Sequence, residues 1–211
     1  MSVWAGFIEL LQAGLFYVTQ VSGGSLAVGI IVFSLAVRLA LYPLTYRLAR
    51  QSHAHSRRLA AVRPELDRLR ERYANDAARL ARETVAAYQR RGLSLVDKRT
   101  LLGGLVQLPV VVGMYSVIRR ALDLGNAGRF LWIANIARPD VLLAASVSLL
   151  TLTVVMLSPQ LAQQGNRWLV LIPAVMTFLV MLKVSAGLGL YWAASSAVGG
   201  IQAVMVRRSS R

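Results

Sequence analysis

The chain has 211 residues, 56% of them hydrophobic and only 16% charged, yet its formal net charge is +15. Average soluble domains are about 45–50% apolar and about 25% charged, so this balance excludes a basic disordered tail and argues against a soluble nucleic-acid binder. The absence of cysteine excludes a disulfide framework, a thiolate metal site and a cysteine nucleophile. What remains is a small polytopic membrane protein with basic cytoplasmic segments.

Residues 4–18 are apolar but carry Glu9 and Gln12, which predicts an amphipathic helix lying in the membrane interface, with a sixth span as the alternative. No basic stretch or small-residue cleavage site precedes the first span, so this helix is expected to stay on the mature protein. Ser22-Gly23-Gly24-Ser25 reads as a flexible joint. Runs long enough to span lipid follow at 25–44, 101–118, 141–157, 168–182 and 186–206. Each is near the ~20 residues that a ~30 Å hydrocarbon layer requires, the fourth being short. Lys183-Val184-Ser185 leaves only a tight turn between the last two.

Between the first two spans the sequence predicts a basic helical hairpin. Leu59, Val62, Leu66, Leu69 and Tyr73 form an apolar stripe, with a kink or fresh start expected at Pro64. Tyr73-Ala74-Asn75-Asp76 reads as a turn, Asp76 as the cap of a second helix over 77–91, and Gly92 as its stop. The predicted organisation is an interfacial helix over 1–21, a first transmembrane helix over 22–46, the hairpin over 47–100, four further transmembrane helices over 101–206 and a basic tail over 207–211. The fold class is thus all-α, with five transmembrane helices.

Alternating the loops puts 18 basic residues on one side and five on the other. The positive-inside rule makes the first side cytoplasmic, with the N-terminus outside and the C-terminus inside. The hairpin's basic faces read either as a solvated surface that satisfies the positive-inside rule or as a contact for anionic lipid headgroups or ribosomal RNA. They lack the interleaved aromatics that would stack bases, so no sequence-specific nucleic-acid binding is expected. His53 and His55 sit among polar and basic residues and are not read as metal ligands.

Arg38 is the most informative residue. It lies about 13 residues into the first span, and no span contains an Asp or Glu to pair with it. Either it snorkels to the cytoplasmic headgroups or it faces a hydrated cavity. Ser34, Arg38, Tyr42 and Thr45 share one helical face. The second span adds Gln107 followed by Pro109, and the fifth adds Tyr191, Trp192, Ser195, Ser196 and Gln202. For the hydroxyl residues plain helix packing is the competing explanation, and for Tyr191 and Trp192 it is an aromatic belt. A positive site without carboxylates is poorly suited to proton or sodium coupling. Nor is there a nucleophile–base pair in a span, so no enzyme and no cofactor is expected. An anionic or polar polypeptide segment entering from the cytoplasm fits such a site. A small-solute transporter or channel is the alternative, and it predicts intramembrane carboxylates or an inverted repeat.

Several motifs carry a resemblance. They are Val37-Arg38-Leu39, Tyr42-Pro43-Leu44-Thr45, Arg63-Pro64-Glu65, Glu71-Arg72-Tyr73, Gln107-Leu108-Pro109, Leu131-Trp132-Ile133, Pro139-Asp140, Ser158-Pro159 and Gly187-Leu188-Gly189-Leu190-Tyr191-Trp192. In order and spacing the chain resembles the YidC/Oxa-type membrane protein insertases over nearly all of 22–208, in a short form without a large external domain. The resemblance implies five spans around a polar groove open to cytoplasm and lipid. The groove residues would be Arg38, Ser34, Tyr42, Gln107, Tyr191 and Trp192. It implies a non-enzymatic insertase and chaperone of the bacterial plasma membrane, whose partners are nascent or newly made membrane proteins and lipids, with the Sec translocon and the ribosome beside them. Two departures stand out. The Gly-Cys-x-Pro pattern many members carry before the second span is absent from 95–104, and Ser185 replaces a usual proline.

Overall fold

The computed structural model describes residues 2–93, 98–125, 128–157 and 168–209, and every regular element among them is helical. The loop with Arg167, the Ser158-Pro159 pair, and Ser210 and Arg211 of the tail lie outside the described residues. Helix α1, Val3–Val21, opens on Ser2, whose hydroxyl accepts the Ala5 N–H at 3.3 Å. Gly23 and Gly24, both at φ +76°, then turn the chain into α2. A φ in this region costs glycine nothing and most other residues a kcal/mol or so.

Helix α2, Leu26–Arg72, runs through both the first span and the first hairpin arm, so of the two alternatives at Pro64 the fresh start is not found. No break occurs near residue 46 and no fresh start at Pro64: the span and the first hairpin arm are one 47-residue helix with Pro43 and Pro64 inside it. Each proline removes one N–H and crowds the preceding turn, but the local surroundings hold the helix together. The Thr45 hydroxyl returns to the carbonyls of Leu41 and Tyr42, at 3.1 and 3.2 Å, beside Pro43. Around Pro64, Val62 and Leu66 are buried against Ala87 and Leu93.

Helix α3, Ala77–Arg90, folds back on the end of α2. Its start is fixed by the Asp76 carboxylate, which accepts the Arg79 N–H at 2.9 Å, and its end by Gly92 at φ +62°. Glu65 joins the two arms by ion pairs to Arg90 and Arg91, at 3.5 and 2.9 Å. These pairs are largely solvated, so the small apolar cluster contributes more than they do.

Helices α4 (Lys98–Asp123), α5 (Val141–Leu157), α6 (Trp168–Met181) and α7 (Ala186–Ser209) complete the bundle. The packing order is α4 on α2, α2 on α7, α7 on α5 and α5 on α6, with α1 laid across α2 and α4. Along α1 the contacts pass from Gly29 of α2, which touches Thr19, to Gly113 of α4, which touches Leu11 and Phe7. Ser148 of α5 donates to the Ala174 carbonyl of α6 at 2.7 Å, a polar link inside an otherwise apolar contact. Large apolar side chains on α6, among them Ile172, Val175, Met176 and Leu179, are more than half exposed. Such outward faces suit lipid rather than water. Among the described residues α2 alone is, by length and composition, long and apolar enough to cross a membrane, with α5 and Val170–Met181 apolar but shorter.

The tightest core lies at one end of the bundle, where Ile30, Met114, Ile118 and Ile136 are fully buried. The 128–140 segment closes this end. Asp140 caps α5 by accepting the Leu143 N–H at 2.7 Å, and Trp132 donates to the same carboxylate at 3.3 Å. The N–H groups of Ala186 and Gly187 donate to the carbonyls of Arg138 and Ile136, at 2.9 and 2.8 Å. The first turn of α7 is thereby satisfied by the closing segment itself.

A β-carbon at position 29 would stand 2.9 Å from the Thr19 Cα, which is backbone and cannot swing away. At position 113 it would meet only the tips of Leu11 and Phe7. Gly29→Ala is therefore expected to loosen α1 from α2 by about 1–3 kcal/mol, and Gly113→Ala by clearly less. Denaturant unfolding in detergent, read alongside proteolysis of α1, checks the order.

Candidate functional site

Helices α2 and α7 run parallel and in register. Ile30 stands against Gly187, where a β-carbon would meet it at 3.4 Å, and Thr45 donates to the Gln202 Oε1 at 3.3 Å. The step from 30 to 45 matches that from 187 to 202, so the register holds over ~22 Å. Helix α4 also packs on α2, but it meets α7 closely where Leu122 approaches Gly187. Away from that point α4 and α7 touch little, leaving an angle between them floored by α2.

Burial along the polar stripe of α2 changes in steps. Ile30 is 0% exposed and Ser34 1%, its hydroxyl donating to the Ile30 carbonyl. Arg38, one turn on, is half-buried, and its Nη1 donates to the Gln107 Oε1 of α4 at 3.2 Å. Tyr42 is also half-buried; its hydroxyl donates to the Met205 Sδ at 2.9 Å, and its ring stacks on Tyr46 at 5.7 Å. The stripe therefore starts in a sealed core and becomes more accessible toward Thr45.

Arg38 has a partner, but a neutral one. Its guanidinium reaches across to Gln107 instead of snorkelling along its own helix. No carboxylate occurs within 25–44, 101–118 or 186–206, so the positive charge there is hydrogen-bonded but not cancelled. Tyr191 lies within electrostatic reach of Arg38. The hydroxyls of Tyr191 and Ser195 are directed at one another, one turn apart, but meet without a well-formed hydrogen bond. Nothing else among the described residues serves either of them. Buried hydroxyls without partners are costly in a dry site, which favours water between α2, α4 and α7. Among the described residues no group of histidines and carboxylates could hold a metal ion.

The structure thus brings together Ser34, Arg38, Tyr42, Gln107 and Tyr191 along one seam. Trp192 stands about 100° round α7 from Tyr191 and is 37% exposed, so it flanks the seam without joining it. Thr45, Ser195 and Gln202 belong to the seam more closely than Trp192 does. Sequence reasoning passed over Met205. Its signal was the spacing 191, 195, 202, 205, which runs along one face of α7.

An all-α bundle with lipid-suited outer faces and a partly buried arginine on a polar seam is consistent with a polytopic helical membrane protein. A family profile described as "60Kd inner membrane protein" matches residues 17–211, and the chain belongs to that family, the YidC/Oxa-type membrane insertases. It is 26% identical over 189 residues to "Membrane protein insertase YidC" of Geobacter sulfurreducens, covering 88% of this chain and 34% of that protein. It is 29% identical over 192 residues to "Membrane protein insertase YidC 1" of Streptococcus pyogenes, covering 87% of this chain and 67% of the other. With "Membrane protein insertase YidC 2" of Listeria monocytogenes it shares 26% identity over 204 residues, 92% of this chain and 71% of that one. The chain therefore spans about a third of the Geobacter relative and about two thirds or more of the other two.

Gln107→Leu removes the acceptor of a charged donor while keeping bulk. It is expected to destabilise the bundle by about 1–2 kcal/mol, and Gln107→Asn by less. Equilibrium unfolding in detergent measures both.

Proposed function

We propose that the chain is an insertase and chaperone of the bacterial plasma membrane. In this reading α1 lies in the interface, and five spans are formed by the apolar part of α2 together with α4, α5, α6 and α7. The end of α2 and α3 stand as a hairpin in the cytoplasm, with the N-terminus outside and the C-terminus inside. The distribution of 18 basic residues against five supports that orientation.

The seam is then a hydrated groove, sealed on the outer side by Ile30, Ile118 and Ile136 and open toward the cytoplasm. The polar segment of a newly made membrane protein enters it. Arg38 attracts acidic side chains, and groove water solvates backbone that lipid would not tolerate. The client's apolar span passes along α5 and α7 into the bilayer. No bond is made or broken, and no cofactor or nucleotide takes part. The basic hairpin is the surface for anionic lipid or the ribosome, and the Sec translocon works beside the protein. The observation that carries this reading is Arg38 hydrogen-bonded to neutral Gln107, with its charge left uncancelled.

In a strain depleted of its own insertase, Arg38→Ala should lower insertion of clients with acidic translocated tails about tenfold, a loss of ~1.4 kcal/mol. Strongly apolar clients should be nearly unaffected. Gln107→Glu should do the same while keeping the bundle stable, because the new carboxylate would occupy Arg38. Normal insertion of every client by both variants would sink the groove mechanism.

A further inference from the structure

A second cavity lies on the other side of α2, between α1, the joint at Gly24 and the far end of α4. Its volume is about 510 Å³, within the usual range for ligand pockets. One edge is polar: Glu9, Gln12 and Gln20 lie on a single face of α1. The walls are apolar, with Phe16 and Leu15 from α1, Val117 and Ala121 from α4, and Leu124 from the turn that follows α4. Arg120 rises from that face of α4, three residues after Val117 and four before Leu124. Glu9 and Arg120 are both exposed, and neither makes an ion pair among the described residues. The cavity therefore carries an unpaired carboxylate on one wall, and Arg120, outside its lining, stands next to the lining residues Val117 and Ala121 on α4.

The surroundings narrow what fits. Leu10, Tyr17 and Val21 form an adjoining face of α1 and are each at least 70% exposed. An apolar face of this kind belongs against lipid, so the cavity opens where lipid is the solvent. An anionic headgroup would leave Glu9 unanswered, and a purely apolar ligand would leave both charges and two amides unanswered. A zwitterion on an acyl chain answers all of them.

We propose that this cavity binds one zwitterionic aminophospholipid, of the phosphoethanolamine headgroup class. Its ammonium faces Glu9 and its phosphate faces Arg120. The amide N–H groups of Gln12 and Gln20 reach the ester and phosphate oxygens, and the first part of an acyl chain lies along Phe16, Val117 and Leu124. This inference goes beyond the insertase reading: it uses α1 and the outer part of α4, not the seam.

Native mass spectrometry of the full chain tests it, after extraction from vesicles of equal parts phosphatidylethanolamine and phosphatidylglycerol. The wild type should retain one phosphatidylethanolamine in preference to phosphatidylglycerol. Glu9→Gln should lower that retention about fivefold and leave phosphatidylglycerol unchanged, as expected for the upper range of a solvated ion pair. Arg120→Gln should lower retention of both lipids. Circular dichroism confirms that these exposed substitutions keep the helices. A photoreactive residue in place of Phe16 should label lipid. Equal retention of the two lipids by the wild type would overturn the proposal, as would an indifferent Glu9→Gln variant. Labelling from position 16 that reaches only protein would assign the cavity to a polypeptide or a second copy instead. Client insertion is not part of the readout, so the lipid site and the insertase reading stand or fall separately.

Discussion

The close parallel contact of α2 with α7 sets the positions of nearly all the polar groups that matter. One end of it lies at Gly187, where the surroundings leave little more than the room of a methyl group. A β-carbon there would meet Leu122 at 3.2 Å, Ile30 at 3.4 Å and the Ile136 carbonyl at 3.5 Å, all at once. With hydrogen at that position three helices and the closing segment converge on one point. From there the register carries Ser34 to the level of Tyr191, and Thr45 to Gln202. Moving α7 by one residue would turn its faces by about 100° and take Tyr191, Ser195 and Gln202 out of line together.

Within that frame the chemistry of the seam turns on neutrality. A guanidinium has five N–H donors in a fixed fork and cannot shed its proton. Gln107 satisfies one donor direction. A carboxylate in its place would satisfy two and cancel the field, producing a rigid and electrically quiet pair. A glutamine holds the arginine in place without that cost to its reach. The side-chain hydroxyls nearby behave in two ways. Ser34 bonds to its own helix, whereas those of Tyr191, at the same level on α7, and Ser195, one turn on, find no sound protein partner.

Much of this was legible from residues alone, where a signal is local. Asp76 and Gly92 marked the ends of α3 because a cap and a positive φ are short-range requirements. The 141–157 run is the full length of α5 because Asp140 caps it and its interior carries no charge and no proline or glycine. The stripe Ser34, Arg38, Tyr42 and Thr45 followed from helical period. The continuity of α2 was not legible. Composition changes from apolar to basic near Arg47, and that change marks a change of surroundings, not of backbone. Nor could Pro64 reveal that packing against Ala87 would hold its turn together. Pairing across helices was equally hidden. Tyr191 and Trp192 both looked suited to the site, but neighbours on a helix diverge, and only the register decides which one faces inward. The cavity beside α1 gave no sequence signal, since Glu9 and Arg120 lie 111 positions apart.

The separation of the seam's contacts along the chain gives its assembly a schedule. Arg38 and Gln107 are 69 residues apart, whereas Thr45 and Gln202 are 157 apart and Tyr42 and Met205 are 163 apart. At a translation rate of about 5–20 residues per second, the first link can close some 3–14 seconds after Arg38 is made, and the last only after about 8–33 seconds. For much of its synthesis the molecule carries a charged, half-built seam with one wall missing. In the insertase reading proposed above, a newborn copy thus passes through the same state of exposed polar groups in lipid that its finished form would relieve in others.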